Sequence, residues 1–367
     1  MQSAFNSCYK LRLFIVALLV LGTLQANAQP QRQRVNKVVD SFVSHLNFNG
    51  VVLIANKGKV DYLKYAGIAN RHYGIPYSGQ IRSEIYSVTK TFTAVLIMQL
   101  YEEGKIDLDA TISAYYPEYK GPAAQKATIR NLLTYSSGRE TTEMQIGTIS
   151  EAYDQNLWPV DTFISRYCSG KLVDTPGTRF NYSNGDYIIL GRIIEKICKK
   201  AFEAVLQEKI LTPLKMRNTG YRHHTDIIPD IDEGYYNEEG NVTDLYMPTN
   251  HYIDNHFSAG AMYSTAQDLL VFDQAIFNHT LLRKATVDLM LTPYKQLEDV
   301  AIGFWVYPKE IGKVNTLLAE RQGKGYGHNA NWVHLIDKDI TLILLSNTET
   351  ADLNKMRFNI LAAYLGQ

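Results

Sequence analysis

The chain has 367 residues with 37 Lys and Arg against 37 Asp and Glu, and 46% of its residues are hydrophobic. That balance argues against nucleic acid or an anionic surface as the main partner. The length suits one large domain or two lobes around a substantial core.

The first 28 residues have the layout of a secretory signal. Lys10 and Arg12 form a positive start, Leu13 to Leu24 an apolar run, and Ala26-Asn27-Ala28 a small-residue cleavage site. The run is too short to span a bilayer, which takes about 20 residues. The expected product begins near Gln29, has no stable membrane insertion, and is exported to a periplasm or secreted. Taking Lys10 and Arg12 from 37 basic residues, and no acid from 37, leaves a charge of −2. Of three cysteines, Cys168 and Cys198 survive cleavage; they could pair in an oxidising compartment or pack as small apolar residues.

Val35, Val38, Val39, Phe42, Val43 and Leu46 form one apolar stripe of an amphipathic helix. Val51 to Ala55, a turn at Asn56-Lys57-Gly58, and Val60 to Tyr65 read as a β-hairpin. A helical repeat then runs through Phe92, Val95, Leu96 and Leu100, with Gly104 as its stop. A second helix is expected over Asp186 to Lys199, carrying Ile189, Leu190, Ile193, Ile194 and Ile197. Strands are expected at Ile302 to Tyr307, Trp332 to Ile336 and Ile340 to Leu345, followed by a closing helix through Leu353, Met356, Ile360, Leu361 and Leu365. The expected fold class is α+β. An antiparallel sheet from both chain ends (about 33–86 and 258–367) is flanked by helices, with a mainly helical region (about 87–257) inserted.

Ser87-Val88-Thr89-Lys90 opens the first central helix. Ser87 falls in its first turn, and Lys90, three positions on, shares its face. A hydroxyl beside an amine at the positive end of a helix dipole can become a nucleophile without a histidine. The pattern alone is weak, since Ser7-Cys8-Tyr9-Lys10 also matches it. Tyr182-Ser183-Asn184, just before the second helix, adds a phenol that could move a proton and an amide that could hold a substrate or a lysine. His328-Asn329-Ala330-Asn331, at the start of an expected strand, offers backbone N–H groups for an oxyanion.

The order and setting of these three clusters resemble the penicillin-recognising serine hydrolases, nearest the class C β-lactamase and esterase branch. Residues 48–60, 132–138, 176–184 and 258–272 also look like that family, so the likeness spans about 48 to 350. The resemblance implies a β-lactamase-like fold and acyl transfer through a Ser87 ester without a cofactor. Lys90 and Tyr182 would exchange the serine proton, Asn184 would position substrate and Lys90, and the N–H groups of Ser87 and Asn331 would hold the oxyanion. The substrate would be a small molecule or peptide.

Against the family pattern of Lys or His, then Ser or Thr, then Gly, this chain shows His328, Asn329 and Ala330. A mostly neutral histidine would bind a substrate carboxylate less strongly than a lysine. The Ala330 methyl would crowd a substrate, narrowing the pocket or lowering activity. Esterase or peptidase action is therefore expected over β-lactam hydrolysis. A D,D-peptidase or β-lactamase acting on cell-wall-like substrates, or a catalytically silent binding protein, are the alternatives. His223, His224, Asp226, His251, Asp254 and His256 match no metal-ligand spacing and are expected to be rim or surface residues.

Overall fold

The computed structural model describes residues 30–141, 156–237, 244–248 and 251–367. The expected signal segment lies outside these. Helix α1 covers residues 30–45, and the hairpin strands are β1 (Gly50–Asn56) and β2 (Lys59–Ala66). The two central helices are α2 (Thr89–Glu102) and α3 (Asn184–Cys198). The chain then supplies α4 (Ala266–Phe277), four strands, and a closing helix α5 (Leu353–Tyr364). The strands are β3 (Trp305–Ile311), β4 (Val314–Gly325), β5 (His328–Leu335) and β6 (Ile340–Ser346).

The six strands form one antiparallel sheet in the order β3-β4-β5-β6-β1-β2, so the chain's two ends meet where β6 pairs with β1. The fold is α+β, as expected. Strand alternation sorts side chains between two cores. Val51, Leu53, Ile343, Leu345, Ala330 and Trp332 face the core shared with α2, α3 and α4. Val52, Ile54, Leu342, Leu344, Val333 and Leu335 face the core closed by α1 and α5. Every residue of β6 is buried, because helices cover both its faces.

Helix α2 is the centre of the larger core. Every residue from Thr89 to Met98 is buried, and Phe92 stacks on Phe272 of α4 with ring centroids 3.8 Å apart. A helix apolar around most of its circumference is held by neighbours on all sides, which fixes the residues at its N-terminus. Gly104, with φ +67°, ends it in the left-handed conformation glycine adopts without strain.

Strand β4 was absent from the expected elements. Its first half alternates conventionally, but Ala319 to Gly323 is buried throughout apart from a half-buried Gln322, and includes Glu320 and Arg321. Cys168 and Cys198 are not joined by a disulfide. No helix among the described residues is long and apolar enough to cross a membrane.

Candidate active site

Three backbone pieces converge on Ser87. A 3₁₀ turn at Tyr86–Val88 leads into α2 and carries the serine. The residue before it, Tyr86, has φ +40°, a conformation a non-glycine side chain adopts at a cost of order 1 kcal/mol. Tyr86 is held there by burial, its ring lying against Gly325 of β4.

The second piece is the N-terminus of α3. Ser183 is its cap, accepting from the Asp186 backbone N–H at 3.0 Å and from Arg139 Nη2 at 2.7 Å. Arg139 and Asp186 form an ion pair at 3.0 Å with both side chains fully buried, and Ser137 donates to the same carboxylate at 2.9 Å. This network sets Tyr182 just before the cap and Asn184 just after it.

The third piece is the end of β4. Strand β3 pairs with β4 only as far as Glu320, so residues 321–325 present an edge without a strand partner on that side. The edge lies against the Ser87 turn.

These pieces bring Ser87, Lys90, Tyr182 and Asn184 together. Lys90 Nζ donates to Ser87 Oγ (2.8 Å), Asn184 Oδ1 (2.7 Å) and the Ala259 carbonyl (2.8 Å). Three acceptors match the three protons of an ammonium, an arrangement that suits a charged Lys90. The Tyr182 and Ser87 hydroxyl oxygens are 2.8 Å apart. Burial would raise the Tyr182 phenol, but Lys90 and Arg321 outweigh it and, with the bond to Ser87, bring it from 10.0 down to about 8.

The structure does not bring His328, Asn329, Ala330 and Asn331 to that point. They lie on β5, one strand away from the site edge and not at the position expected for them. His328 is buried, with Nε2 2.8 Å from Asp232 and Nδ1 3.6 Å from Glu84. Asp232 also accepts from Tyr77 (2.5 Å) and Ser83 (2.6 Å), so this histidine braces the chain entering the nucleophile turn. Asn329 faces the opposite side of the sheet and donates to the Ala351 carbonyl at 2.9 Å. Ala330 is 1% exposed, between Gly323 and Leu345 on the ladder, and crowds no substrate. Asn331 is paired on both sides, to Gln322 and Leu344, so its backbone is not open to an oxyanion.

The position next to the nucleophile belongs instead to Arg321-Gln322-Gly323. Arg321 and Gly323 share the face of Ala319, toward α2. Arg321 donates to the Ser87 carbonyl (2.7 Å), the Tyr135 hydroxyl (2.8 Å) and the Tyr182 hydroxyl (3.1 Å). Its guanidinium packs 5.1 Å from the Trp305 ring, which also stacks on Tyr135. Sequence reading missed Arg321, Gly323, Tyr135 and the Ala259 carbonyl. The available signal was Gly323-Lys324-Gly325: paired glycines in a strand mark a close backbone approach.

His223 and His224 each place Nδ1 3.0 Å from one oxygen of Asp254. Burial opposes ionisation of Asp254, but the His224 backbone N–H and both imidazoles hold its carboxyl below the ordinary range. The three residues tie their loops together.

A family model described as Beta-lactamase matches residues 35–365. A penicillin-binding protein of Bacillus subtilis (strain 168) is 27% identical over 338 residues, 88% of this chain and 73% of that protein. A teichoic acid D-alanine hydrolase of Staphylococcus aureus (strain NCTC 8325 / PS 47) is 25% identical over 276 residues, 74% of this chain and 66% of that protein. The chain thus spans about two thirds to three quarters of these curated relatives. Among solved structures, a D-stereospecific amidohydrolase from Streptomyces superposes with a TM-score of 0.78 at 21% identity, over 91% of this chain and 98% of that one; this likeness concerns the fold. With its model matched across nearly the whole chain, the protein belongs to the Beta-lactamase family of serine hydrolases.

Proposed function

We propose that the protein is an exported serine hydrolase that cleaves an ester or amide through an acyl-enzyme on Ser87. The observation that carries this is Ser87 Oγ within 2.8 Å of both Lys90 Nζ and the Tyr182 hydroxyl, with Lys90 saturated by acceptors. A serine between a fixed cation and a phenol of lowered pKa can pass its proton to the phenolate as it attacks.

In the first half-reaction Ser87 Oγ bonds to the substrate carbonyl carbon and its proton moves to the Tyr182 oxygen. The bond to the leaving oxygen or nitrogen then breaks, and Tyr182 returns the proton to that atom. In the second half, Tyr182 takes a proton from water, the hydroxide adds to the acyl carbon, and Ser87 recovers its proton as the acid leaves. The Ser87 N–H and a backbone N–H of the Gly323–Gly325 edge are the proposed oxyanion donors; losing one such donor typically lowers the rate about 10²–10³-fold.

Relatives named as a teichoic acid D-alanine hydrolase and a D-stereospecific amidohydrolase support a small ester or amide as substrate. The apolar segment before Gln29 supports export. The test is incubation with a fluorescent fluorophosphonate and, separately, a fluorescent penicillin. Label at Ser87 from the fluorophosphonate alone is the expected result. Penicillin adducts as well would point to cell-wall-like substrates, and absence of both labels in folded protein would overturn the reading.

A further inference from the structure

We propose that Arg321 is a positioning residue whose charge is consumed inside the protein, so that the site selects uncharged esters or amides and disfavours substrates with a carboxylate beside the scissile bond. This rests on the acyl-enzyme reading above and adds a substrate class to it.

Arg321 is the cation nearest the strand edge, yet its side chain is 1% exposed. Each guanidinium nitrogen already donates, one to the Ser87 carbonyl and two to the Tyr135 and Tyr182 hydroxyls. The Trp305, Tyr135 and Tyr182 rings pack around it at 5.1, 5.9 and 5.8 Å from its central carbon. A substrate carboxylate drawing this guanidinium onto itself would compete with Tyr182 for it. That would strip the phenolate of a cation that lowers its pKa, so binding the acid would disable the base.

Most other cationic groups around the site are also committed. Lys90 is fully buried among its three acceptors. Arg222 pairs with the buried Glu84. Burial, with His251 and Lys90 nearby, pushes the His256 imidazole down to about 3, leaving it neutral. Lys324 alternates onto the opposite face of β4 from Arg321 and lies 3.9 Å from Glu349. After residue 29, the residues outside the described set contain no Lys, Arg or His. A carboxylate at the edge would lose water without gaining a partner, and such a group is costly to bury.

Half-buried Phe180 and Trp305 meet at 6.1 Å beside Tyr182. They offer an uncharged leaving group aromatic surface instead.

The experiment compares 4-nitrophenyl acetate with 3-carboxy-4-nitrophenyl acetate, each rate corrected for spontaneous hydrolysis and referred to Ser87→Ala. The neutral ester should have a kcat/KM about ten- to a hundredfold higher, the discrimination an unpaired buried polar group imposes. In Arg321→Lys, whose ammonium lacks the planar fork to hold all three acceptors, the ratio should shrink. The acid limb of the pH profile should also move upward, which a purely structural role would not cause. Equal turnover of the two esters, or preference for the carboxylate ester that Arg321→Gln abolishes, would overturn the inference while leaving the acyl-enzyme reading standing. Absence of Ser87-dependent turnover together with absence of fluorophosphonate label would instead overturn both.

Discussion

Gly323 lies so close to Ile85 that a Cβ on it would sit 2.0 Å from the Ile85 carbonyl oxygen and 3.0 Å from the Ser87 nitrogen. A side chain there would push the nucleophile turn off the strand edge, because both close atoms are backbone and cannot rotate aside. Gly323→Ala should therefore lower kcat/KM by about 10² or more, as expected when a catalytic group moves by an ångström. Ala330→Gly, one strand over, should leave kcat/KM within a few-fold and cost about 1 kcal/mol of stability from lost packing and added chain entropy. Ester kinetics and urea unfolding of both variants check this pair. The reverse pattern would return the site edge to β5.

Tyr182 sets the pH dependence. Its phenol is lowered to about 8, and in the proposed mechanism the ionised form is the base, so activity should be lost as pH falls. Below that point kcat/KM should drop about tenfold per pH unit, and above it should level off. Tyr182→Phe should remove this limb and lower kcat about 10²–10⁴-fold. A profile flat from pH 6 to 9 would exclude the phenolate as base.

In the proposed mechanism Lys90 acts as a fixed cation. Lys90→Gln keeps hydrogen-bonding capacity and removes the charge, so the apparent pKa in the residual activity should rise from about 8 toward the ordinary phenol value of 10.0. A fall in that pKa, or no shift, would mean Lys90 does not stabilise the phenolate.

Behind Tyr182 and Asn184, the buried Arg139–Asp186 pair is a single point of failure. Asp186→Ala leaves a buried guanidinium without its carboxylate and removes the bond from Ser137, and breaking such a pair typically costs about 3–5 kcal/mol. The urea midpoint should fall accordingly, and any folded fraction should show reduced Ser87 labelling. An unchanged midpoint would mean the pair does not anchor the start of α3.

The elements that announced themselves were those with clean periodicity. The stripe of Val35, Val39 and Phe42, the repeat from Phe92 to Leu100 and the alternation of Val51 to Ala55 are long enough for burial on one side or both to show. Ser87, Lys90, Tyr182 and Asn184 were legible because local sequence places each pair at a helix start. Strand β4 was not, because its site-facing half carries Glu320, Arg321 and two glycines where an ordinary strand would carry branched apolar residues. Those residues are buried by contacts with Tyr182, Ser87 and Ile85, which sequence spacing does not reveal. Missing that strand shifted the third cluster to the next one, where His328-Asn329-Ala330 mimics the motif while serving the core and the loop at Asp232.

The most direct measurement is the mass of the protein quenched in acid during turnover of a slowly hydrolysed ester, followed by peptide mapping. An added acyl group on the peptide containing Ser87, absent in Ser87→Ala and accumulating in Tyr182→Phe no faster than in the wild type, is the expected result. Turnover that persists in Ser87→Ala, or an acyl group mapped to another residue, would contradict a Ser87 acyl-enzyme.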